Sequence, residues 1–262
     1  MSVTSRKSVW FRSFNTGPMQ PRMAMVVFPY AGGGAAAFQS WLQQLPSWVA
    51  LHLVLLPGRE ERFWETPLFR GAEIVEKVTE EIMSTLDVPF LLFGHSMGSI
   101  LAFEVARRLR QICSCNPSAL LVSGRCAPQL ISRTPRLAAL PDSDLVRQVI
   151  RLYGGIPPEV LNDFELVEMM ARVLKADLHV IESYQYVTDE ALQCPIAAYG
   201  GHADPWVTQT ELNAWREQTM SVFTAEQYEG GHFYFRSVES EHQLLGNLRG
   251  ICERVTVGDP PF

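Results

Sequence analysis

A buried strand that breaks at a serine between two glycines and restarts at once as a helix leaves few folds open, and the stretch from Pro89 to Arg110 has that form. Phe90-Leu91-Leu92-Phe93 is a short, wholly apolar run, the pattern of a strand buried on both faces. From Met97 to Arg110, the apolar residues Ala102, Val105, Ala106 and Leu109 recur with helical spacing. Between the two elements lies Gly94-x-Ser96-x-Gly98. On a sharp strand-to-helix turn this pattern holds a serine hydroxyl clear of the sheet, and the glycines leave room for the backbone that makes the turn. The pattern alone recurs by chance; the strand before it and the helix after it single out Ser96 as a candidate nucleophile.

The rest of the chain repeats the alternation. Met23 to Pro29 is apolar and breaks into Ala31-Gly32-Gly33-Gly34, after which Phe38, Trp41, Leu42 and Leu45 carry a helical face. Leu51 to Leu56 predicts another buried strand, closed by Pro57-Gly58-Arg59, and Ile74, Val78 and Ile82 predict the helix that leads to Pro89. Ala119 to Val122, Pro195 to Tyr199 and Val222 to Tyr228 predict three more strands. A helix with Leu212 and Trp215 precedes the last of these, and a final helix runs from about Val238 to Val255. Trp10, Phe11 and Phe14, among polar residues before Met23, predict an arm folded onto the body. Apolar strands alternating with helices give an α/β class, a mostly parallel central sheet flanked by helices. At 262 residues and 47% hydrophobic content, one domain over 1–262 is the economical reading. The rhythm changes only in residues 126–193. There two helical faces, Val146-Val149-Ile150-Tyr153 and Leu166-Met169-Met170-Val173, follow one another across Gly154-Gly155-Ile156-Pro157-Pro158 with no strand between. Such an insertion lies over the carboxyl edge of the sheet, where α/β proteins bind ligands, and is expected to be a lid; two packing helices with no role in access are the plainer alternative.

A serine hydroxyl is a poor nucleophile near neutral pH. It needs a base within hydrogen-bond reach, and the base needs a carboxylate to hold its tautomer. In the α/β-hydrolase fold, which is the fold expected here, the order is serine, acid, histidine, each on a loop after a strand. His232, in Glu229-Gly230-Gly231-His232-Phe233 just after the last strand, is the expected base. His242 falls within the final helix, His202 precedes the acid in the wrong loop, and His52 and His179 read as packing or surface residues. His95, beside the serine, is expected to point along the elbow away from it. For the acid, Asp204 follows the strand Pro195 to Tyr199 at the place the order requires. Its rivals are Asp177, Asp189 and Glu190, and Asp177, in or beside a lid helix, fits a structural salt bridge better. The oxyanion of acyl transfer needs two backbone donors, one after the nucleophile and one from the early glycine loop; Met97 and Ala31 would supply them.

The glycine loop also admits a reading from another class. Gly32-x-Gly34-x-x-Ala37, after a strand and opening a helix, fits a dinucleotide fingerprint. That fingerprint wants an acid about 20 residues on, at the end of the second strand, whereas here the strand ends Leu55-Leu56-Pro57 and Glu60 comes late. It also leaves Ser96, Asp204 and His232 unexplained. A net charge of −6 without a basic cluster argues against nucleic acid or an anionic membrane as partner. No apolar run approaches the ~18 residues of a membrane span, and Met1 to Arg12 lacks the apolar centre of a signal peptide, so a cytosolic protein is expected. Five cysteines, an odd number with no C-x-x-C pair, indicate neither a disulfide framework nor a zinc site. No cofactor or metal is expected, and the chain is read as a monomer. A general lipase or esterase with the same three residues stays open, as does a non-catalytic binding module, although the latter has no reason to keep all three residue types in order.

Taken together, Phe28-Pro29-Tyr30-Ala31-Gly32-Gly33-Gly34, Leu56-Pro57-Gly58-Arg59-Glu60, Gly94-His95-Ser96-Met97-Gly98 and Gly230-Gly231-His232-Phe233 resemble the type II thioesterases that accompany nonribosomal peptide and polyketide synthases. The resemblance extends from Trp10-Phe11 to the last helix and is specific as a set, since a general hydrolase elbow does not predict the Pro-Gly-Arg segment. It implies hydrolysis of acyl or aminoacyl thioesters from the phosphopantetheine arm of an acyl or peptidyl carrier protein, which clears modules blocked by wrong starters. By the same similarity the helical insertion is a mobile lid over an acyl chamber. The medium-chain fatty acid synthase thioesterase is related and shares the motifs.

Overall fold

The computed structural model of the protein describes residues 8–15, 20–154, 156–259 and 261–262. The start of the segment weighed as a signal peptide, residues 1–7, and Gly155 of the linker between the two insertion helices lie outside them. Among the described residues, seven strands form one sheet: β1 (Phe11–Asn15), β2 (Met23–Phe28), β3 (Val49–Val54), β4 (Phe90–His95), β5 (Ala119–Ser123), β6 (Ile196–Gly201) and β7 (Phe223–Tyr228), in the order β1-β3-β2-β4-β5-β6-β7. Every pairing from β3 to β7 is parallel. β2, β3, β4 and β6 are buried at every position, as continuous apolar runs in a sheet covered on both faces should be. The arm before Met23 proves to be a strand. β1 runs antiparallel along β3, and its alternating burial marks a half-covered edge that polar Arg12, Ser13 and Asn15 had masked in the sequence.

Alternate residues of the strands feed two cores. On one face Ala24, Val26 and Phe28 pack with Ile74 and Val78 of α1 (Gly71–Thr85) and Leu101 and Val105 of α2 (Met97–Cys113). On the other, Met23, Met25 and Val27 pack with Phe38 and Trp41 of the 3-10 helix Ala35–Gln43. The final helix of the chain adds Leu244 and Leu248 to the same core. The insertion between β5 and β6 consists mainly of α3 (Asp142–Tyr153) and α4 (Phe164–Glu182). These helices keep a small core of their own, with Val146 and Val149 against Val167, Ala171 and Leu174. Part of the expected α4 face is corrected: Leu166 and Met169 are 41% and 42% exposed. The face that packs on α3 is rotated toward Val167 and Ala171, because α4 divides its apolar stripe between its partner helix and a cavity beneath it. α5 (Gln209–Asn213) and α6 (Val238–Val257) complete the fold.

Candidate active site

Ser96 stands between β4 and α2 with φ 55° and ψ −112°, a conformation that an L-residue holds only when its surroundings fix it. The fixing contacts are backbone: Ser96 N donates to Ser123 O at 2.7 Å, and Ser99 N donates to Ser96 O at 3.1 Å. The flanking glycines serve close approach and not unusual dihedrals. A Cβ on Gly94 would lie 2.1 Å from Gly98 O, and one on Gly98 would lie 2.3 Å from Phe28 O. The serine therefore carries the strain, while the glycines let helix α2 sit against β4 and β2.

Two loops at the carboxyl ends of β6 and β7 bring the acid and the base together. They touch through backbone, with Ala203 N donating to Gly230 O at 2.8 Å. A Cβ on Gly201 would meet Gly231 O at 2.2 Å, so only glycine lets the histidine loop cross there. As a result, His232 Nδ1 lies 2.8 Å from Asp204 Oδ2, and the other carboxylate oxygen accepts the Trp206 amide at 2.9 Å. Both residues are buried. This assigns the Nδ1 proton to the shared hydrogen bond and leaves Nε2 free toward the cavity. Ser96 and His232 line that cavity together. No hydrogen bond joins their side chains, and contacts of this kind often tighten only with substrate bound.

The rivals lie elsewhere. His202, His179 and His242 are exposed, and buried His52 bonds Ser13 on β1. Asp189 pairs with Arg110 on the surface, and Glu190 is exposed. His95 is placed less simply than expected. Its ring lies under the His232 loop, 5.0 Å from the His232 ring, and its Nδ1 is 2.9 Å from Ser123 Oγ, which bonds Tyr234 OH at 2.8 Å. Burial, with the charges of His232 and Arg236, pushes the His95 pKa well below its ordinary value, so this ring supports the loop as a neutral group.

The Pro57-Gly58-Arg59-Glu60 segment, a motif without a role on sequence grounds, clamps the glycine loop. Arg59 Nη1 and Nη2 donate to the two oxygens of Asp177 at 2.6 and 2.7 Å, and Nη1 also donates to Gly33 O at 2.8 Å. Asp177 Oδ2 accepts the Gly32 amide at 2.7 Å. Thus Asp177 is a structural ion-pair partner that ties α4 to the loop carrying Ala31. Glu60, itself at φ 50°, accepts the Ala35 and Ala36 amides at 2.8 and 2.9 Å. A dinucleotide pyrophosphate would need those helix N-terminal amides, and the protein's own carboxylate occupies them. Ala31 N and Met97 N, by contrast, donate to no protein acceptor among the described residues.

The cavity above Ser96 has a volume of about 380 Å³ and is mainly apolar, with Tyr153, Met170, Val173 and Leu174 supplied by the insertion. Its floor carries Ala31, Ser96 and His232. An electrophilic carbonyl held there would lie beside a serine hydroxyl and an oriented imidazole, two of the parts that acyl transfer requires. Among the described residues no group of metal-binding side chains and no helix able to cross a membrane is found.

Comparison with known proteins bears on the same chemistry. The thioesterase domain family matches residues 24–252. The gramicidin S biosynthesis protein GrsT of Aneurinibacillus migulanus is 40% identical over 245 residues, 94% of each chain. Among solved structures, the RedJ thioesterase from the prodiginine biosynthetic pathway in Streptomyces coelicolor is similar with a TM-score of 0.80 at 34% identity, over 87% of this chain and 90% of that one. The type II thioesterase BorB from the borrelidin biosynthetic cluster gives 0.83 at 34% identity, over 93% and 98%.

Proposed function

The chain belongs to the thioesterase family, and from that premise we propose that it is a type II thioesterase, releasing acyl or aminoacyl groups from the phosphopantetheine arm of a carrier protein. The observation that carries the reading is the buried 2.8 Å contact between His232 Nδ1 and Asp204 Oδ2, set in the wall of the cavity that holds Ser96 on its strained turn.

In this reading Ser96 Oγ attacks the thioester carbonyl while His232 Nε2 takes its proton, and Asp204 stabilises the imidazolium through Nδ1–H. The amides of Ala31 and Met97 receive the developing oxyanion. His232 returns the proton to the departing pantetheine sulfur, leaving an acyl-serine ester. Water, deprotonated by the same imidazole, then hydrolyses that ester and regenerates the hydroxyl. The insertion acts as the lid of the acyl chamber. Because Asp177 pins the C-terminal half of α4 to the glycine loop, opening falls to α3 and the start of α4.

Ser96→Ala tests the chemistry, since it deletes the nucleophile from a turn and removes no core volume. Losses in serine hydrolases of this kind reach about 10⁶-fold in turnover, and retention of more than a few per cent activity would sink the assignment. The carrier is tested separately. Binding energy from remote parts of a substrate serves to orient the reacting centre. One acyl group should therefore turn over with higher kcat/KM on a carrier protein than on coenzyme A or a pantetheine mimic, and equal values would mean that the carrier is not recognised.

A further inference from the structure

Four arginines are buried among the described residues, and three of them face a carboxylate: Arg59 pairs with Asp177, Arg62 with Glu65 and Arg107 with Glu104. Arg125 is the fourth. It is 7% exposed, and among the described residues no carboxylate, carbonyl or hydroxyl accepts a hydrogen bond from its guanidinium; its Nε is wholly enclosed without a partner. The carboxylates nearby form no ion pair with it. Glu182 accepts the Leu137 and Ala138 amides at 2.6 and 3.0 Å, and Asp204 serves His232 and Trp206.

The backbone at this point is held firmly. Arg125 follows the end of β5, whose Ser123 O accepts the Ser96 amide. Gly124 N donates to Tyr199 O at 2.8 Å, and Trp215 Nε1 donates to Arg125 O at 2.9 Å. From there the residue lines the Ser96 cavity and also a second cavity of about 360 Å³, bounded by Cys126, Ser132 and Tyr184. An Nε–H kept from water without an acceptor is a standing cost in the free protein. Burial pushes the guanidinium pKa down, and the neighbouring Tyr153 hydroxyl, pushed up to about 12, stays neutral and supplies no charge. What relieves such a group is an oxygen that arrives with the ligand, and a carboxylate matches its planar fork best.

We propose that Arg125 is an acyl-recognition residue, and that the chamber accepts acyl chains bearing a carboxylate a few bonds beyond the thioester carbonyl. The inference rests on the thioesterase reading of the Ser96 site. The acyl chain enters past Ser96, and its distal oxygen meets the guanidinium at the junction of the two cavities. Arg125 touches the acyl group and not the reacting atoms, so it acts on selection and not on the attack itself.

The test uses pantetheine thioesters in isosteric pairs: malonyl with 3-methylbutanoyl, succinyl with 4-methylpentanoyl, and glutaryl with 5-methylhexanoyl. For each pair the ratio of kcat/KM, carboxylate over alkyl, is measured in the parent, Arg125→Lys and Arg125→Met. A hydrogen bond to a charged group predicts that Arg125→Met lowers the ratio about 10- to 100-fold for at least one chain length, with Arg125→Lys between it and the parent. The ratio is internal to each preparation, so partial unfolding cancels. A ratio that stays within about threefold of the parent for every pair would overturn the proposal, as would an equal fall for both members of every pair. Failure of the parent to hydrolyse either member of any pair would instead count against the thioesterase reading.

Discussion

Removing the Asp177 charge should cost stability and turnover together. Asp177 is 1% exposed and Arg59 8%. Three hydrogen bonds of 2.6 to 2.7 Å converge on the carboxylate, two from Arg59 and one from Gly32 N. Taking away one partner of a buried pair strands the other, at about 3–5 kcal/mol. An amide keeps one oxygen for Arg59, so Asp177→Asn belongs at about 3 kcal/mol and Asp177→Leu nearer about 5. In a domain of this size the first value is a fall in Tm of roughly 6–12 °C. The double variant Arg59→Met, Asp177→Leu removes both charges and leaves only Gly32 N–H and Gly33 O without their partners. Its loss should therefore be smaller than the sum of the two single losses by at least about 2 kcal/mol. Turnover follows because Gly32 adjoins Ala31. An oxyanion donor is worth about 10²–10³ in kcat, and a loop released from the clamp should forfeit at least about tenfold of that. Urea titration gives the stabilities, and steady-state hydrolysis of an acyl-pantetheine, at a temperature where each variant is folded, gives kcat. Strict additivity in the double variant, or parental kcat in Asp177→Asn, would refute the clamp.

Asp204→Asn should keep the fold but favour the wrong His232 tautomer, with a fall in kcat of roughly 10⁴-fold; a larger kinetic effect from Asp177→Asn than from Asp204→Asn would mean the acid is misassigned. Gly98→Ala drives a Cβ to 2.3 Å from Phe28 O, and overpacking against immovable backbone should cost about 1–3 kcal/mol or more and displace the elbow. Denaturant midpoints and kcat measure both effects, and a parental value for each would contradict the close approach of α2 to β2. Burial holds the His52 pKa at about 4, below its ordinary 6.5. The unfolded chain therefore takes up the proton first as pH falls. The stability owed to the neutral ring is complete above about pH 6.5 and is lost progressively toward pH 4, at most roughly 3 kcal/mol. His52→Gln should flatten the fall in urea midpoint between pH 7 and pH 4.5, and an unchanged slope would assign that titration to another group.

Local pattern was enough for the sheet and for the turn that carries the candidate nucleophile. Continuous apolar runs at Met23–Phe28 and Phe90–Phe93 can be satisfied only by strands covered on both faces, and Gly94-x-Ser96-x-Gly98 between a strand and a helix admits one kind of turn. Chain order then named Asp204 and His232, because each sits just past a predicted strand and such loops gather at one sheet edge. Other features had no local signature. The edge strand Phe11–Asn15 alternates too weakly to be read. Arg59 and Asp177 are far apart in sequence and meet only because the insertion folds back over the glycine loop. His95 was assigned a direction by its place beside the serine, and its ring contacts arise from the loop that packs over it. Arg125 looks in the sequence like any arginine in a loop, and its meaning lies in burial without an ion-paired carboxylate, which is fixed by the packing around it. Periodicity and turn chemistry are properties of adjacent residues and survive in the sequence; pairing of charges and enclosure of polar groups are properties of the packed whole, and only the tertiary structure decided them.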